Sequence, residues 1–337
     1  MPEGLRLRLT EDRARQILSQ FQGLRILVLG DLMLDAYLEG SVERISPEAP
    51  VPVLEKKSIS YRLGGSANVA LNLAVLGAHP FLAGQIGQDA SAEIFRQACA
   101  ESGIDTDPVF SDASRPTAVK TRVIAGRQQL LRIDEEKRGP LRPESLDDLF
   151  ARVGRLWPDL QACIVSDYGK GVLQAGAWDR LTKLRQSRPI PLVVDPKKVN
   201  YGLYRGATAM THNHHEAAED SGRPCITDTE VAEAGRVLTQ KYAMQNTLIT
   251  RGPQGMAWFS PEGMTLLPTF ARQVFDVSGA GDTVIAVFTA ALSLGASGIE
   301  AALLANHAAG VVVSKFGTAT ATAEEILEDI RLHADAY

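Results

Sequence analysis

Val274 to Leu292 read VFDVSGAGDTVIAVFTAAL. Gly279 and Gly281 flank Ala280, and an apolar helical run from Val284 to Leu292 follows. A glycine-rich turn that opens a helix attracts anions. Its first N–H groups have no intrahelical acceptor, and the helix dipole is positive there. Yet Asp282 stands inside that first turn. A fixed negative charge at the lip of an anion hole makes sense when the anion is in transit. Backbone N–H groups of Gly279, Ala280 and Gly281 then hold a migrating phosphoryl group, and Asp282 takes the proton from an attacking alcohol. The other reading of Asp282 is a carboxylate that only complements the helix dipole. The four residues alone do not choose between the two.

Working outward, short apolar runs end in polar residues along the chain. Arg25 to Leu29 ends at Gly30-Asp31, Ala162 to Val165 at Ser166-Asp167, and Pro191 to Val194 at Asp195-Pro196-Lys197. Ala207 to Met210 ends at Thr211-His212-Asn213, and Thr247 to Ile249 at Thr250-Arg251-Gly252. Helical stretches such as Ala175 to Gln186 and Asp228 to Lys241 separate them. Buried apolar strands alternating with helices predict an α/β fold, a doubly wound and mostly parallel sheet covered on both faces. Ligands in such sheets bind beyond the carboxyl ends of the strands, where these polar residues gather.

Two segments break the rhythm. Val51 to Tyr61 is rich in β-formers, and Val119 to Ile133 reads as two strands around Ala125-Gly126. Together they predict a small antiparallel sheet, too small to stand alone. It is expected to act as a lid, its segments at about 36–62 and 115–135 inserted into a single domain spanning 1–337. Contact between two such sheets gives an expected homodimer.

Composition narrows the function classes. The 337 residues are 45% hydrophobic and 22% charged, with a net charge of −5, which suits a globular protein and argues against nucleic-acid binding. Cys99, Cys163 and Cys225 have no paired spacing, as in a reducing cytoplasm. The polar start, MPEGLRLRLTEDRARQILSQF, has no apolar core of a signal peptide, and Thr10 precedes an amphipathic helical pattern. No run of about 18 apolar residues predicts a membrane span. The expected place is the cytoplasm.

Leu63 to Ala70 read LGGSANVA, a second glycine-rich opening to a helix. Gly64 and Gly65 let backbone approach a ligand, and Asn68 can bond a hydroxyl as donor or acceptor. Asp31 and Asp35 frame the end of the first strand, as acceptors for sugar hydroxyls. No phosphate-binding Gly-x4-Gly-Lys-Ser/Thr loop and no Gly-x-Gly-x-x-Gly after a strand occurs.

GGSANVA and DVSGAGDT, in this order and spacing, resemble the two signatures of the ribokinase-like (PfkB) family of carbohydrate kinases. RISPEAPVPV, GDLMLD, RQQLLRID and SDYGKG narrow the likeness to its heptose 7-phosphate kinases, the HldA proteins and the kinase half of the HldE proteins. The likeness runs from about residue 25 to about residue 330. It implies ATP-dependent phosphorylation of D-glycero-β-D-manno-heptose 7-phosphate at O1, for ADP-heptose and lipopolysaccharide core synthesis. No His-x-Gly-His of a nucleotidyltransferase occurs, so the expectation is the kinase activity alone.

The resemblance implies roles. Asp282 is the base, with Gly279, Ala280 and Gly281 as the anion hole. Asp35, Gly64, Gly65 and Asn68 contact the sugar. Asn213 and Glu216, in Asn213-His214-His215-Glu216, serve Mg²⁺ and the phosphates, ahead of a zinc reading of His212, His214 and His215 that lacks a fourth ligand. Thr250, Arg251, Gly252, Gly255 and Asn306 line the nucleotide side, and Lys197 is a phosphate contact or an exposed loop lysine. Asp276 and Ser278 match positions for a monovalent cation, K⁺. Lys120, Arg122, Arg127 and Arg132 on the hairpin form a clamp for the substrate's distal phosphate or, alternatively, a charge-protected edge. There are three departures: Thr211-His212-Asn213 stands where these kinases carry Thr-Pro-Asn, and the other two touch the substrate side. Ala36 stands where these kinases carry arginine, and Gly126-Arg127 where they carry Arg-Asn.

Overall fold

Leu27, Leu29, Ile26 and Val28 have no exposed surface, and they alternate between two hydrophobic clusters. A strand with both faces buried must sit between two helical layers, and burial of each such side chain contributes about 1.5–3 kcal/mol before entropy is counted. The computed structural model describes residues 9–244, 246–270, 274–315 and 317–333. Residues 1–8 of the polar N-terminus lie outside these.

In chain order the elements are α1 (Glu11–Ser19), β1 (Arg25–Gly30), β2 (Leu32–Ile45), β3 (Pro52–Gly65), α2 (Ser66–Val75), β4 (His79–Ile86), α3 (Ala90–Glu101) and β5 (Val109–Ser111). Then come β6 (Ala118–Ala125), β7 (Gln128–Glu135), α4 (Pro143–Leu156), β8 (Ala162–Ser166), α5 (Ala175–Ser187), β9 (Leu192–Asp195), β10 (Ala209–Asn213) and α6 (His214–Ser221). The last are α7 (Asp228–Tyr242), β11 (Asn246–Thr250), β12 (Met256–Ser260), β13 (Gly263–Leu267), α8 (Ala280–Ser293), α9 (Gly298–Val313) and α10 (Ala323–Leu332). Thr10 caps α1 by accepting from the Arg13 N–H, as its position suggested.

The main sheet runs β13-β12-β11-β10-β9-β8-β1-β4-β5. All its pairings are parallel except β11–β12 and β12–β13. One face packs on α1, α2, α3, α8, α9 and α10, the other on α4, α5, α6 and α7. This is the doubly wound, mostly parallel architecture expected from the alternating runs. The carboxyl ends of β8, β9, β10 and β11 come side by side, and α8 points its N-terminus at them.

The second sheet runs β3-β2-β6-β7. Its two antiparallel hairpins join through a parallel β2–β6 pair. Strand β2 follows β1 after Asp31 alone, a 14-residue element in a stretch where no strand was expected before residue 36. Register sorts its side chains by face. Arg62, Asp35, Lys120 and Asp134 lie in one row, with Tyr37, Arg122 and Arg132 in the next. The opposite face carries Ile59, Tyr61, Leu131 and Ile133, each 36–50% exposed.

Candidate active site

Helix α8 starts at Gly279, whose φ of +81° is a left-handed conformation that glycine adopts without strain, and no side chain caps this end. The Ala280 N–H donates to the Val277 carbonyl at 3.2 Å, so it is already engaged. The N–H groups of Gly281 and Asp282 have no acceptor among the described residues. A Cβ at Gly281 would meet nothing within 4 Å, whereas one at Gly279 would lie 2.9 Å from Asn68 Nδ2. The glycine at 281 thus keeps space that the protein itself does not fill.

Asp282 is buried behind this turn. Its Oδ2 accepts from Asn68 Nδ2 at 2.7 Å, and its Oδ1 accepts from the Tyr168 hydroxyl at 2.8 Å. Burial pushes its carboxyl up to about 6, the two hydrogen bonds oppose that rise, and the nearby Asp35 charge adds to it. Asn68 is placed by α2, which Gly65 opens at φ +57°. Asn72, one turn on, donates to the Asn68 carbonyl and accepts from Thr283 Oγ1 at 2.7 Å, knitting α2 to α8. The Asn68 side-chain oxygen is buried without a partner among the described residues. Gly64 gives Asp35 its room, since a Cβ there would lie 2.5 Å from Asp35 Oδ2.

A cavity of about 220 Å³ opens in front of Asp282, lined also by Gly279, Gly281, Tyr168, Asp195, Lys197, Asn213, Glu216 and Thr250. Seven residues expected at the site from sequence therefore share one cavity. Asn213 and Glu216 form a capping box on α6, Asn213 Oδ1 accepting from the Glu216 N–H at 2.9 Å and Glu216 Oε2 from the Asn213 N–H at 3.1 Å. The remaining Glu216 oxygen lies 3.6 Å from Lys197 Nζ. Asp195 is the carboxylate that sequence reading passed over. Burial, then the charges of Glu216 and Asp282, push it well above the ordinary range against the pull of Lys197. Its position after a buried strand, in Asp195-Pro196-Lys197, was the available signal. Asp195, Glu216 and Asn213 offer the hard oxygen donors that Mg²⁺ takes.

Asp31 has a different task from the expected sugar contact. Its Oδ2 accepts from the N–H groups of Tyr168 and Lys170, both at 2.9 Å, and its Oδ1 from Val172 N–H at 3.2 Å. With 2% of its surface exposed, it ties the loop after β8 to the end of β1. The lid cations are also engaged. Arg122 pairs with Asp35, Lys120 with Asp134 at 3.2 Å, and Arg132 with Asp134 at 2.7 Å. Arg127 sits exposed at the hairpin tip, beside Gly126 at φ +62°. Arg62, not singled out from sequence, shares the charged face without an ion pair among the described residues. It stacks 5.1 Å over Tyr37 and reaches toward Gly317.

The nucleotide-side set divides. Thr250 lines the cavity in front of Asp282. Arg251 lines a second groove of about 300 Å³ with Asp228, Gln254 and Leu266 to Pro268, and it donates to Asp228 at 2.7 Å. Asn306 donates to the Pro268 carbonyl at 2.6 Å, on the wall of that groove. Gly252 (φ +57°) shapes the turn after β11, and a Cβ at Gly255 would lie 2.0 Å from the Leu267 carbonyl, so Gly255 is there for close packing. Asp276 accepts from Ser278 N–H at 2.9 Å and Gly317 N–H at 3.1 Å, holding the loop before α8 to the end of α9.

A buried carboxylate beside an uncapped helix N-terminus, at the open end of a ribokinase-like sheet, defines a phosphotransferase acting on a sugar hydroxyl. Residues 24–325 match the pattern of the pfkB family carbohydrate kinases, and the chain belongs to that family. It is 43% identical over 315 residues to the Bifunctional protein HldE of Trichlorobacter lovleyi and 42% identical over 320 residues to that of Desulfatibacillum aliphaticivorans. Those alignments cover 93% and 95% of this chain but 64% and 65% of the relatives' length. The ribokinase of Arabidopsis thaliana complexed with ribose and ATP has the same fold, with a TM-score of 0.71, 18% identity and coverage of 92% of this chain and 99% of that one. The phosphofructokinase-2 of Escherichia coli in complex with potassium gives 0.74, 17%, 93% and 99%. No helix among the described residues is long and apolar enough to cross a membrane.

Proposed function

We propose that this chain transfers the γ-phosphoryl group of ATP to the O1 hydroxyl of D-glycero-β-D-manno-heptose 7-phosphate, giving the 1,7-bisphosphate for ADP-heptose and lipopolysaccharide core synthesis. The observation that carries the chemistry is the placement of Asp282, held by Asn68 and Tyr168 behind the free N–H groups of α8. The sugar hydroxyl gives its proton to Asp282 as its oxygen bonds to the γ-phosphorus. The bond from that phosphorus to the β–γ bridging oxygen breaks, and ADP leaves with that oxygen. The N–H groups of Gly281 and Asp282 face the charge that spreads over the moving oxygens. Asn68, through its unpartnered oxygen, and Asp35 accept bonds from other sugar hydroxyls. Asn213, Glu216 and Asp195 would hold Mg²⁺, which neutralises phosphate charge when bound. Asp276 and Ser278 belong to the loop proposed to hold K⁺.

The choice of sugar rests on the HldE likeness, whose names belong to longer proteins. Lid cations Lys120, Arg122 and Arg132 are proposed to receive the 7-phosphate by exchanging their carboxylate partners, with Arg62 and Arg127 already uncommitted. A second reading, another sugar or sugar-acid kinase of the family, draws on Ala36 and Gly126, where heptose kinases carry arginine and part of Arg-Asn. We further propose a homodimer through the apolar lid face, and ATP use favours the cytoplasm. ADP release assayed with ATP and a panel of sugars tests the reading. Turnover of heptose 7-phosphate is expected. Robust turnover of another sugar with none of the heptose moves the assignment to the second reading, and ligand binding without ADP release overturns both in favour of a sensor.

A further inference from the structure

The reaction set out above gives Tyr168 no task, yet its hydroxyl is one of two side-chain groups bonded to the proposed base. We propose that Tyr168 is a positioning residue: its hydroxyl pins Oδ1 of Asp282 while Asn68 pins Oδ2, so the carboxylate is held in one rotamer and in its ionised state before the sugar arrives. This inference rests on the reading of Asp282 as the base.

Three features carry it. Each carboxylate oxygen receives one donor, at 2.8 Å from Tyr168 and 2.7 Å from Asn68, and a two-point hold fixes rotation about the Cβ–Cγ bond. Each oxygen keeps a further lone pair for an incoming hydroxyl. The phenol is itself held in place. Asp31 accepts from the N–H groups of Tyr168, Lys170 and Val172, and Asp167 accepts from the Gly169 N–H at 2.7 Å, from Asn200 at 2.6 Å and from Tyr204 at 2.6 Å. A tyrosine that only filled space would not require a loop bonded this densely.

Electrostatics point the same way. The charged and titratable groups facing Asp282 are Asp35 from the lid, Asp195 at the end of β9, Lys197 just after it, Asp167 beside Tyr168, His212 on β10 and Glu216 on α6. Most are acidic, so the neighbourhood opposes ionisation and the two hydrogen-bond donors counter it. Burial and the Asp282 charge push the phenol well above its ordinary range, which keeps Tyr168 a protonated donor.

The test compares wild type, Tyr168→Phe, Asp282→Asn and a protein carrying 3-fluorotyrosine at 168. The ligand-free proteins are titrated by carboxyl ¹³C NMR, and the Asp282 resonance is assigned by its loss in Asp282→Asn. Kinetics with ATP and heptose 7-phosphate run in parallel. Tyr168→Phe is expected to move Asp282 titration to higher pH, because a bond to the charged form is lost. It should also lower kcat about 10- to 100-fold, the range for one hydrogen bond to a charged group, with the KM for ATP within about twofold. The fluorinated phenol, a stronger donor of unchanged shape, is expected to move the titration to lower pH, and it serves even where Tyr168→Phe fails to fold. Titrations that coincide in wild type and the fluorinated protein, or in wild type and folded Tyr168→Phe, overturn the positioning role while an inactive Asp282→Asn preserves the base. Near wild-type turnover by Asp282→Asn removes both.

Discussion

A carboxylate that serves as a base near neutral pH must be ionised when its alcohol arrives, and burial works against this. Burial of Asp282, the proposed base, pushes its carboxyl up to about 6, low enough to be charged at pH 7 and high enough to accept a proton. The expected kcat/KM rises with pH through about 6 and levels above it, measured across pH 5 to 8. The stability sign is opposite to that of a salt-bridged acid. The folded value lies above the unfolded one, so the stabilising protonation is complete below about 4 and is lost as pH rises through about 6. Ionised Asp282 then costs the fold about 2–3 kcal/mol. Asp282→Asn should therefore lower kcat about 100- to 10,000-fold while its Tm at pH 8 matches or exceeds wild type in a thermal melt. An equal loss of Tm and activity would assign the residue to folding. Asp282, Gly281 and Asn68 were legible because each lies in a short local pattern. Tyr168 and Asp31 were not. Their roles arise from contacts spanning 114 and 137 residues, and neither residue type announces such a partner.

Among the elements, the parallel strands were easiest to read. A strand buried on both faces must be apolar throughout, and the chain marks its end with polar residues, so β8, β9 and β11 emerged within one or two residues of their bounds. Strand β2 escaped because its environment changes along its length. Leu32 to Ala36 are buried on both faces, while Glu43 to Ile45 are exposed on both, so neither an apolar block nor an alternation spans it. The first turn of α8 yields a paired prediction. Gly281→Ala meets no atom, so its Tm should stay close to wild type while ATP turnover falls at least tenfold as the side chain enters the phosphate's space. Gly255→Ala forces a Cβ against the Leu267 carbonyl at φ +78° and should cost about 1–3 kcal/mol in denaturant melts. If Gly281→Ala is the less stable of the two, the space before α8 serves packing.

Viewed whole, the molecule joins a doubly wound body to a sheet with two unlike faces. The charged face turns toward Asp282. The apolar face exposes Ile59, Tyr61, Leu131 and Ile133, the patch through which the homodimer is proposed to form. Sedimentation velocity should find a dimer for the wild type and a monomer for the pair Leu131→Glu and Ile133→Glu. A wild-type monomer across the micromolar range would sink the lid-to-lid assembly.

One residue, Asp31, separates the central strand β1 from the lid strand β2, and its side chain grips the backbone of the segment bearing Tyr168. At that junction the end of the central strand, the start of the second sheet and the backbone leading to the phenol meet on a single side chain, so a substitution at position 31 is expected to disturb all three at once.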